Sequence, residues 1–321
     1  SAASDVYKRQ TQVTEAWFIM RHTRACPACL PVRTSYLNRL PANEIFRTGI
    51  CNGTGRFHIR RLFNNIRPED RAAYLSLHYW DHFDFADTSL ISRPEITEQA
   101  FVDFLGILPY TDRAQAAIDT LFRRAATGQE MLYHFIGLSD KYLYEPNSPM
   151  HDEELHILVL RALLDNPCLS DTDKIRPRYL LEIAMKNRPG DVAADFTVTC
   201  RDGRRRQLSG IKADYVLVYF NDPDCEDCRR VKELLTLSPV VNDLLESGRL
   251  KLLSVCVEGK TPAWEKAEFP AGWIDGYDAD QRLTREQVYD LKAMPTLYLL
   301  DAEKRVILKD ASFEQVEERL S

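Results

Sequence analysis

Two cysteines, Cys225 and Cys228, stand two residues apart in the stretch NDPDCEDCRRVKELL. A pair with this spacing can bind a metal ion, form a structural disulfide or exchange disulfides with other molecules. A tetrahedral zinc site needs four ligands, yet the sequence after the pair contains only Cys256, and the last histidine is His156. We therefore expect no metal at this pair and favour redox chemistry, with a structural disulfide as the plainer alternative.

The local pattern places the first of these cysteines at a helix start. The apolar run YVLVYF, which ends at Phe220, predicts a strand, and the residues from Cys225 onward predict a helix after the turn NDPD. Unpaired N–H groups and the positive end of the dipole at a helix N-terminus stabilise a thiolate. Cys225 is therefore the predicted nucleophile, and Cys228, one turn further along, is the predicted resolving thiol.

The elements around the pair divide the chain into two parts. From Arg67 onward, six segments carry apolar residues at helical spacing, which predicts an all-helical domain over residues 62–188. The period changes near Pro189, and residues 189–321 alternate short β-type runs with helical ones, including a helix in TREQVYDLK and a last helix capped by Ser312. Such an order, with an antiparallel strand pair near the end, predicts a mixed α/β sheet covered by helices.

The second part resembles the thioredoxin-like superfamily, specifically its envelope branch of thiol:disulfide interchange proteins related to the alkyl hydroperoxide reductase and thiol-specific antioxidant proteins. The resemblance covers residues 190–321 and is carried by GDVAADF, VLVYFNDPDCEDC, AMPTLYLLD and the closing hairpin and helix. It implies a cis proline at Pro295 that packs against the disulfide, with Met294 and Thr296 pairing with the substrate backbone. The predicted fold is thus α+β, an all-α domain followed by a thioredoxin-like α/β domain.

Two departures limit what the resemblance implies. Tyr219 stands where many thioredoxins have a buried aspartate, so the proton relay of the family is not expected here. Asp224 replaces the usual aromatic residue before the motif, and Glu226 and Asp227 lie inside it. Because these carboxylates oppose the helix dipole, we expect them to raise the pKa of Cys225 and make the couple more reducing. A redox titration that finds a strongly oxidising couple would contradict this hypothesis.

The helical part resembles a domain of unknown function found ahead of thioredoxin-like modules in exported proteins of Gram-negative bacteria. The matching segments are HYWDHFDFADTSLISRPEITEQAFVDF, KYLYEPNSPM and KIRPRYLLEIAMKNRPGD. This resemblance implies the periplasm or cell envelope, often with a lipoprotein anchor. The expected partners are client proteins with disulfides and an unidentified thiol electron donor, and the exchange requires no cofactor.

Composition excludes other classes of function. A net charge of −6 over 321 residues, without a basic run, does not fit a nucleic-acid binder. The apolar runs are far shorter than the ~20 residues of a membrane-spanning helix. Residues 1–10 contain DVYKRQ, the translation of a transposase sequencing adaptor, so we interpret them as an adaptor artefact and the true start as lost. Residues 11–61 are expected to be poorly ordered or mistranslated.

Several alternatives remain open from the sequence. A thiol peroxidase of the antioxidant branch is disfavoured, because the pattern Pro-x-x-x-Thr-x-x-Cys does not precede Cys225. A non-catalytic binding module with this fold is the second alternative. His78 and His82 have the i, i+4 spacing of metal ligands, although amphipathic packing explains them more simply. Cys26 and Cys29 form a second CxxC without a strand before it, and Cys256 reads as a core residue.

Overall fold

The structure is a computed structural model that describes residues 66–321. The predicted adaptor segment, residues 11–61 and the pair Cys26 and Cys29 lie outside the described residues. The chain forms two compact units, one ending at Tyr142 and the other covering Leu143–Ser321. Among residues 66–321, no helix combines the length and the apolar character needed to cross a lipid bilayer.

The described part of the first unit is helical. Its α-helices are α1 (Arg71–His78), α2 (Thr97–Leu105), α3 (Ala114–Ala125) and α4 (Gln129–Ser139). They pack around Trp80, whose ring meets those of Phe83, Phe104 and Phe135 edge-on at centroid distances of 5.3 to 5.4 Å. Such edge-to-face pairs stabilise a core beyond the area they bury.

His78, one of the two histidines at metal-ligand spacing, pairs with an aspartate next to this core. The Nδ1 atom of His78 lies 2.7 Å from a carboxylate oxygen of Asp81, which also accepts a hydrogen bond from Arg124. Within residues 66–321, no group of three or more histidine, cysteine or acidic side chains is arranged to hold a metal ion.

The second unit begins with two helices and continues into a seven-stranded sheet. The helices are α5 (Glu153–Asp165) and α6 (Ile175–Ala184). The strands are β1 (Thr197–Cys200), β2 (Arg205–Gln207), β3 (Tyr215–Asn221), β4 (Leu250–Cys256), β5 (Ile274–Tyr277), β6 (Thr296–Asp301) and β7 (Val306–Leu308). Their order in the sheet is β2-β1-β5-β4-β3-β6-β7.

The sheet is mixed, because β3 runs parallel to β4 and antiparallel to β6. The remaining helices are α7 (Glu226–Leu237), α8 (Pro239–Glu246), α9 (Pro262–Lys266), α10 (Arg282–Arg285) and α11 (Phe313–Leu320). Side chains alternate along β3, as the period of a strand requires. Leu217 and Tyr219 pack under α7, α8 and α11, whereas Val218 and Phe220 pack on the opposite face. The predicted fold class is confirmed.

Several local predictions can be compared with the structure. The cap of the last helix is confirmed, since the Ser312 hydroxyl accepts a hydrogen bond from the N–H of Gln315. The helix predicted in TREQVYDLK is wrong, because α10 ends at Arg285 and the chain then turns, with Gln287 in the left-handed region at φ 49°. The short strands β2 and β5 are absent from the sequence prediction. The domain boundary near Pro189 stays a prediction, since the compact units divide earlier.

Candidate redox site

Cys225 lies at the N-terminus of α7, directly after the turn that leaves β3. It is the N-cap residue, and its Sγ atom accepts a hydrogen bond from the N–H of Cys228 at 3.3 Å. The turn is closed by its own residues: the Asp222 carboxylate accepts the N–H of Asp224 at 3.0 Å, and the Asp222 carbonyl accepts the N–H of Cys225 at 3.0 Å. An N–H group aimed at sulfur stabilises a thiolate over a thiol.

The two thiols differ in exposure. Cys225 is half-buried, whereas Cys228 is 1% exposed, and both are free thiols in the structure. Burial raises the pKa of Cys228 far above that of an ordinary cysteine. An incoming disulfide can therefore reach Cys225, while Cys228 is held beneath it as a protonated thiol.

A second loop faces Cys225 from the start of β6. The peptide bond between Met294 and Pro295 is cis, and the Met294 carbonyl oxygen lies 3.6 Å from Cys225 Sγ, where it accepts a hydrogen bond from the thiol. Thr296 begins β6, pairs with Phe220 of β3, and donates its hydroxyl to the Ala293 carbonyl at 2.7 Å. The structure thus brings the predicted substrate-binding segment to the predicted nucleophile.

The predicted pKa-modulating carboxylates surround the motif on its outer side. Asp224, Glu226 and Asp227 are all exposed. Asp227 forms an ion pair with Arg230 at 2.9 Å, and both side chains are exposed. An exposed ion pair contributes little to the stability of a fold, but this pair places a cation beside one of the carboxylates. Their effect on Cys225 stays a prediction.

Tyr219 contributes a contact that the sequence reading does not anticipate. Its hydroxyl donates a hydrogen bond to the carbonyl of Cys228 at 2.6 Å, and the residue is 1% exposed. Burial, with the two neighbouring sulfurs, raises the pKa of Tyr219 well beyond its ordinary value, so the hydroxyl stays a donor. The only signal in the sequence is the position of Tyr219, six residues before Cys225 on a strand.

The remaining cysteines of the described residues lie outside this arrangement. Cys256 ends β4 as a fully buried side chain, and burial raises its pKa to about 11. Cys200 is buried at the end of β1, and Cys168 is exposed beyond α5. The reading of Cys256 as a small core residue agrees with its burial.

A solved structure with both parts of this chain decides the family. The crystal structure of a thioredoxin-like protein from Bacteroides caccae is 42% identical, with a TM-score of 0.76. The match covers 83% of this chain and 96% of that chain. The chain belongs to the thioredoxin-like family. This membership confirms the resemblance read from the residues around Cys225 and Pro295.

Other comparisons describe the two parts separately. A family described as a domain of unknown function (DUF5106) matches residues 62–187, which confirms the resemblance of the helical part. The C-terminal domain of an uncharacterized protein from Bacteroides fragilis is 39% identical, with a TM-score of 0.41, over 42% of this chain and 97% of that chain. The thioredoxin domain of a thiol-disulfide oxidoreductase from Bacteroides vulgatus is 21% identical, with a TM-score of 0.36. That match covers 42% of this chain and 99% of that chain. The search of curated proteins found no match.

Proposed function

We propose that the chain is a thiol-disulfide oxidoreductase, reductase or isomerase-like, that acts on protein disulfides in the cell envelope through Cys225 and Cys228. The observation that carries this proposal is the asymmetry of the pair: a half-exposed sulfur at a helix N-terminus lies above a buried one. The envelope setting is supported by the chemistry, because disulfides persist mainly in oxidising compartments, and by the resemblance of the helical part to exported proteins.

The first chemical step takes place at Cys225. As a thiolate, its sulfur attacks one sulfur of a client disulfide, and a new bond joins Cys225 to the client. The second client sulfur leaves as a thiolate and takes up a proton. The N–H of Cys228 already donates to Cys225 Sγ at 3.3 Å and is in position to bond this sulfur as it attacks.

The second step resolves the mixed disulfide. Cys228 loses its proton and attacks the Cys225 sulfur, and the client sulfur leaves as a thiol once it is protonated. The chain now holds a Cys225–Cys228 disulfide, and the client has gained two electrons and two protons. An external dithiol must reduce this disulfide before the next cycle.

The segment Met294–Thr296 would bind the client backbone as an added strand. The support for this assignment is the position of the Met294 carbonyl beside Cys225 and the entry of Thr296 into β6. A client strand beside this segment would place its disulfide over Cys225, the more exposed sulfur of the pair.

The test is reduction of insulin by the full chain, with dithiothreitol as the electron source. The chain should accelerate reduction, and Cys225→Ser should lower the rate to that of dithiothreitol alone. Cys168→Ser is the matched control, because it removes an exposed cysteine outside the pair. If the unaltered chain is no faster than dithiothreitol, or if Cys225→Ser retains the rate, the proposal is wrong and the binding-module alternative is favoured.

A further inference from the structure

The loop that carries the cis proline has no regular secondary structure of its own. We define the cis-proline loop as residues 286–295, between α10 and β6, where the chain forms only turns and bends. Neither helix nor strand bonds fix this segment, so its position depends on side-chain contacts, including those of its own buried Tyr289. Further polar contacts come from the segment that precedes the sheet and from Asp310, just after β7.

Residues just after α6 hold the backbone of the loop. Lys186 Nζ donates to the Gln287 carbonyl at 2.9 Å, and the Asn187 side-chain amide donates to the Val288 carbonyl at 2.8 Å. The same Asn187 side chain accepts the N–H of Ala194 at 2.7 Å. Asn187 therefore joins the loop to the chain that enters the sheet, and it is 8% exposed.

A cluster of charged side chains holds the far end of the loop. Lys292 Nζ lies 3.3 Å from the Asp290 carboxylate and 3.6 Å from that of Asp310, and these side chains are only 12 to 17% exposed. Asp310 also lies 3.6 Å from Nε2 of His151, just before α5. Asp310 therefore connects the loop to the helical segment.

Lys309 strengthens the same connection. Its Nζ atom donates to the Glu153 carboxylate at 2.6 Å, the Ala184 carbonyl at 2.9 Å and the Lys186 carbonyl at 2.7 Å. A lysine has three N–H donors, so all three are used, and the side chain is 3% exposed. Lys309 thus binds the start of α5 and the end of α6 to the strand that precedes it.

The charges of this cluster support one another. Burial acts to raise the pKa of Asp310, but the hydrogen bond from His151 and the charge of Lys292 outweigh it and hold this pKa below its ordinary value. Burial acts to lower the pKa of Lys292, but Asp290 and Asp310 outweigh it and raise that pKa. Both groups are therefore charged at neutral pH.

A cavity separates the loop from the helices beside it. It measures about 200 Å³, and its lining includes Tyr144, Tyr179, Tyr289 and the charged side chains of Glu153 and Lys292. These charged side chains are already paired with Lys309 and Asp310. Tyr289 anchors the loop in the core on the other side, and on the side of the cavity the polar contacts hold the loop in place.

We propose that six residues form a brace that positions the cis-proline loop for client binding: His151, Glu153, Asn187, Lys292, Lys309 and Asp310. The proposal rests on the proposed function and extends it to part of the region matched by DUF5106, which contains His151, Glu153 and Asn187. Lys292 stands two residues before Met294, whose carbonyl faces Cys225. A displacement of about 1 Å in a substrate-positioning group can cost on the order of 100-fold in rate.

The test is Lys292→Met in the full chain, with insulin as the substrate. The variant keeps the length of the side chain but loses its charge, so the KM for insulin should rise about tenfold while kcat falls less than about threefold. Lys292→Arg should restore the KM, because the charge returns and the cavity beside it gives room. Arg249→Met is the matched control, since it removes an exposed ion pair, with Asp214, outside the loop.

Hydrogen exchange measured on the same variants does not depend on activity. Lys292→Met should accelerate exchange of the amides of residues 286–294 about tenfold and leave those of β3 and β4 unchanged. If Lys292→Met does not fold, Asn187→Asp tests the same brace, because it removes the donor to Val288 and keeps the acceptor for Ala194.

The outcomes separate the two proposals. If the unaltered chain does not reduce insulin, the proposed function fails, and the exchange rates still decide whether the brace holds the loop. If the KM of an active Lys292→Met variant is unchanged, the proposed brace is wrong. It is also wrong if the only effect is a fall in kcat that equals the loss of folded protein. An exchange rate in the loop that is equal to that of the unaltered chain overturns it as well.

Discussion

Two loops meet at Cys225, and they are held by different kinds of contact. The turn between β3 and α7 is closed by bonds among residues 222–228. The cis-proline loop is held by side chains more than a hundred residues away in the chain, such as Lys186 on Gln287. The position of the proposed nucleophile thus depends on local structure, while the surface proposed to bind the client depends on tertiary structure.

The two kinds of contact differ in their expected response to mutation. The acidic residues of the turn are exposed or half-buried, so water can replace a lost bond. The brace contains buried charges, and removal of one partner leaves the other charge unpaired in a medium of low polarity. Substitutions in the brace should therefore be the more destabilising. We expect three variants to differ accordingly in the free energy of unfolding.

Lys309→Met should have the largest effect on stability. It leaves the Glu153 carboxylate without its cation and removes the donor to the carbonyls of Ala184 and Lys186. Loss of one partner from a buried pair costs about 3–5 kcal/mol in the free energy of unfolding, measured by urea denaturation. Arg249→Met, which removes an exposed pair with Asp214, should cost less than about 1 kcal/mol. Equal losses in the two variants would refute the claim that the buried charges of the brace stabilise the fold.

Asp310→Asn should have a smaller effect that depends on pH. It removes a charged partner of His151 and Lys292, which should cost about 2 kcal/mol in the free energy of unfolding near neutral pH. The loss is smaller than that for Lys309→Met because Lys292 keeps its second partner, Asp290. The folded pKa of Asp310 lies below its ordinary value of 3.8. The stability from its charge is therefore present above pH 3.8 and is lost as pH falls through the folded pKa.

The measurement is urea denaturation of the unaltered chain and of Asp310→Asn from pH 7 down to pH 3. The difference in the free energy of unfolding should shrink once the pH falls below the ordinary pKa of an aspartate. A difference that stays constant over this range would show that the charge of Asp310 does not stabilise the fold.

Tyr219→Phe should have the smallest effect of the three. It removes the hydrogen bond to the Cys228 carbonyl and keeps the ring in the core, at a cost of about 1 kcal/mol in the free energy of unfolding. Tyr298→Phe is the matched control, because its buried hydroxyl has no hydrogen-bond partner in the part of the chain that the structure describes. That control should be neutral or stabilising, and a larger loss for Tyr298→Phe than for Tyr219→Phe would contradict the account.

The difference between the loops also explains what the sequence could predict. The turn and its cysteines follow from a strand, a polar turn and a helix start within fifteen residues, and the cap at Ser312 is equally local. The chain after α10 looks helical in TREQVYDLK, but its carbonyls at Gln287 and Val288 accept bonds from Lys186 and Asn187 instead. No local pattern signals such bonds.

No local sequence pattern predicts the brace either. Lys309 and Asp310 follow the apolar run RVIL and resemble ordinary surface charges at the end of a strand. Their burial follows only from the packing of α5 and α6 beside them. The short strands β2 and β5 were missed for a related reason, since an exposed RRQ and the segment IDGY gain their pairing from neighbouring strands.

The central claim is that Cys225 exchanges disulfides and Cys228 resolves the product. Its most direct test is incubation of the Cys228→Ser variant with native insulin, whose disulfides are intact. Mass spectrometry of the peptides under non-reducing conditions follows. We expect a stable mixed disulfide between Cys225 and an insulin cysteine, which disappears when Cys225→Ser is added to Cys228→Ser. No adduct at Cys225, or equal adduct formation in the double variant, would contradict it.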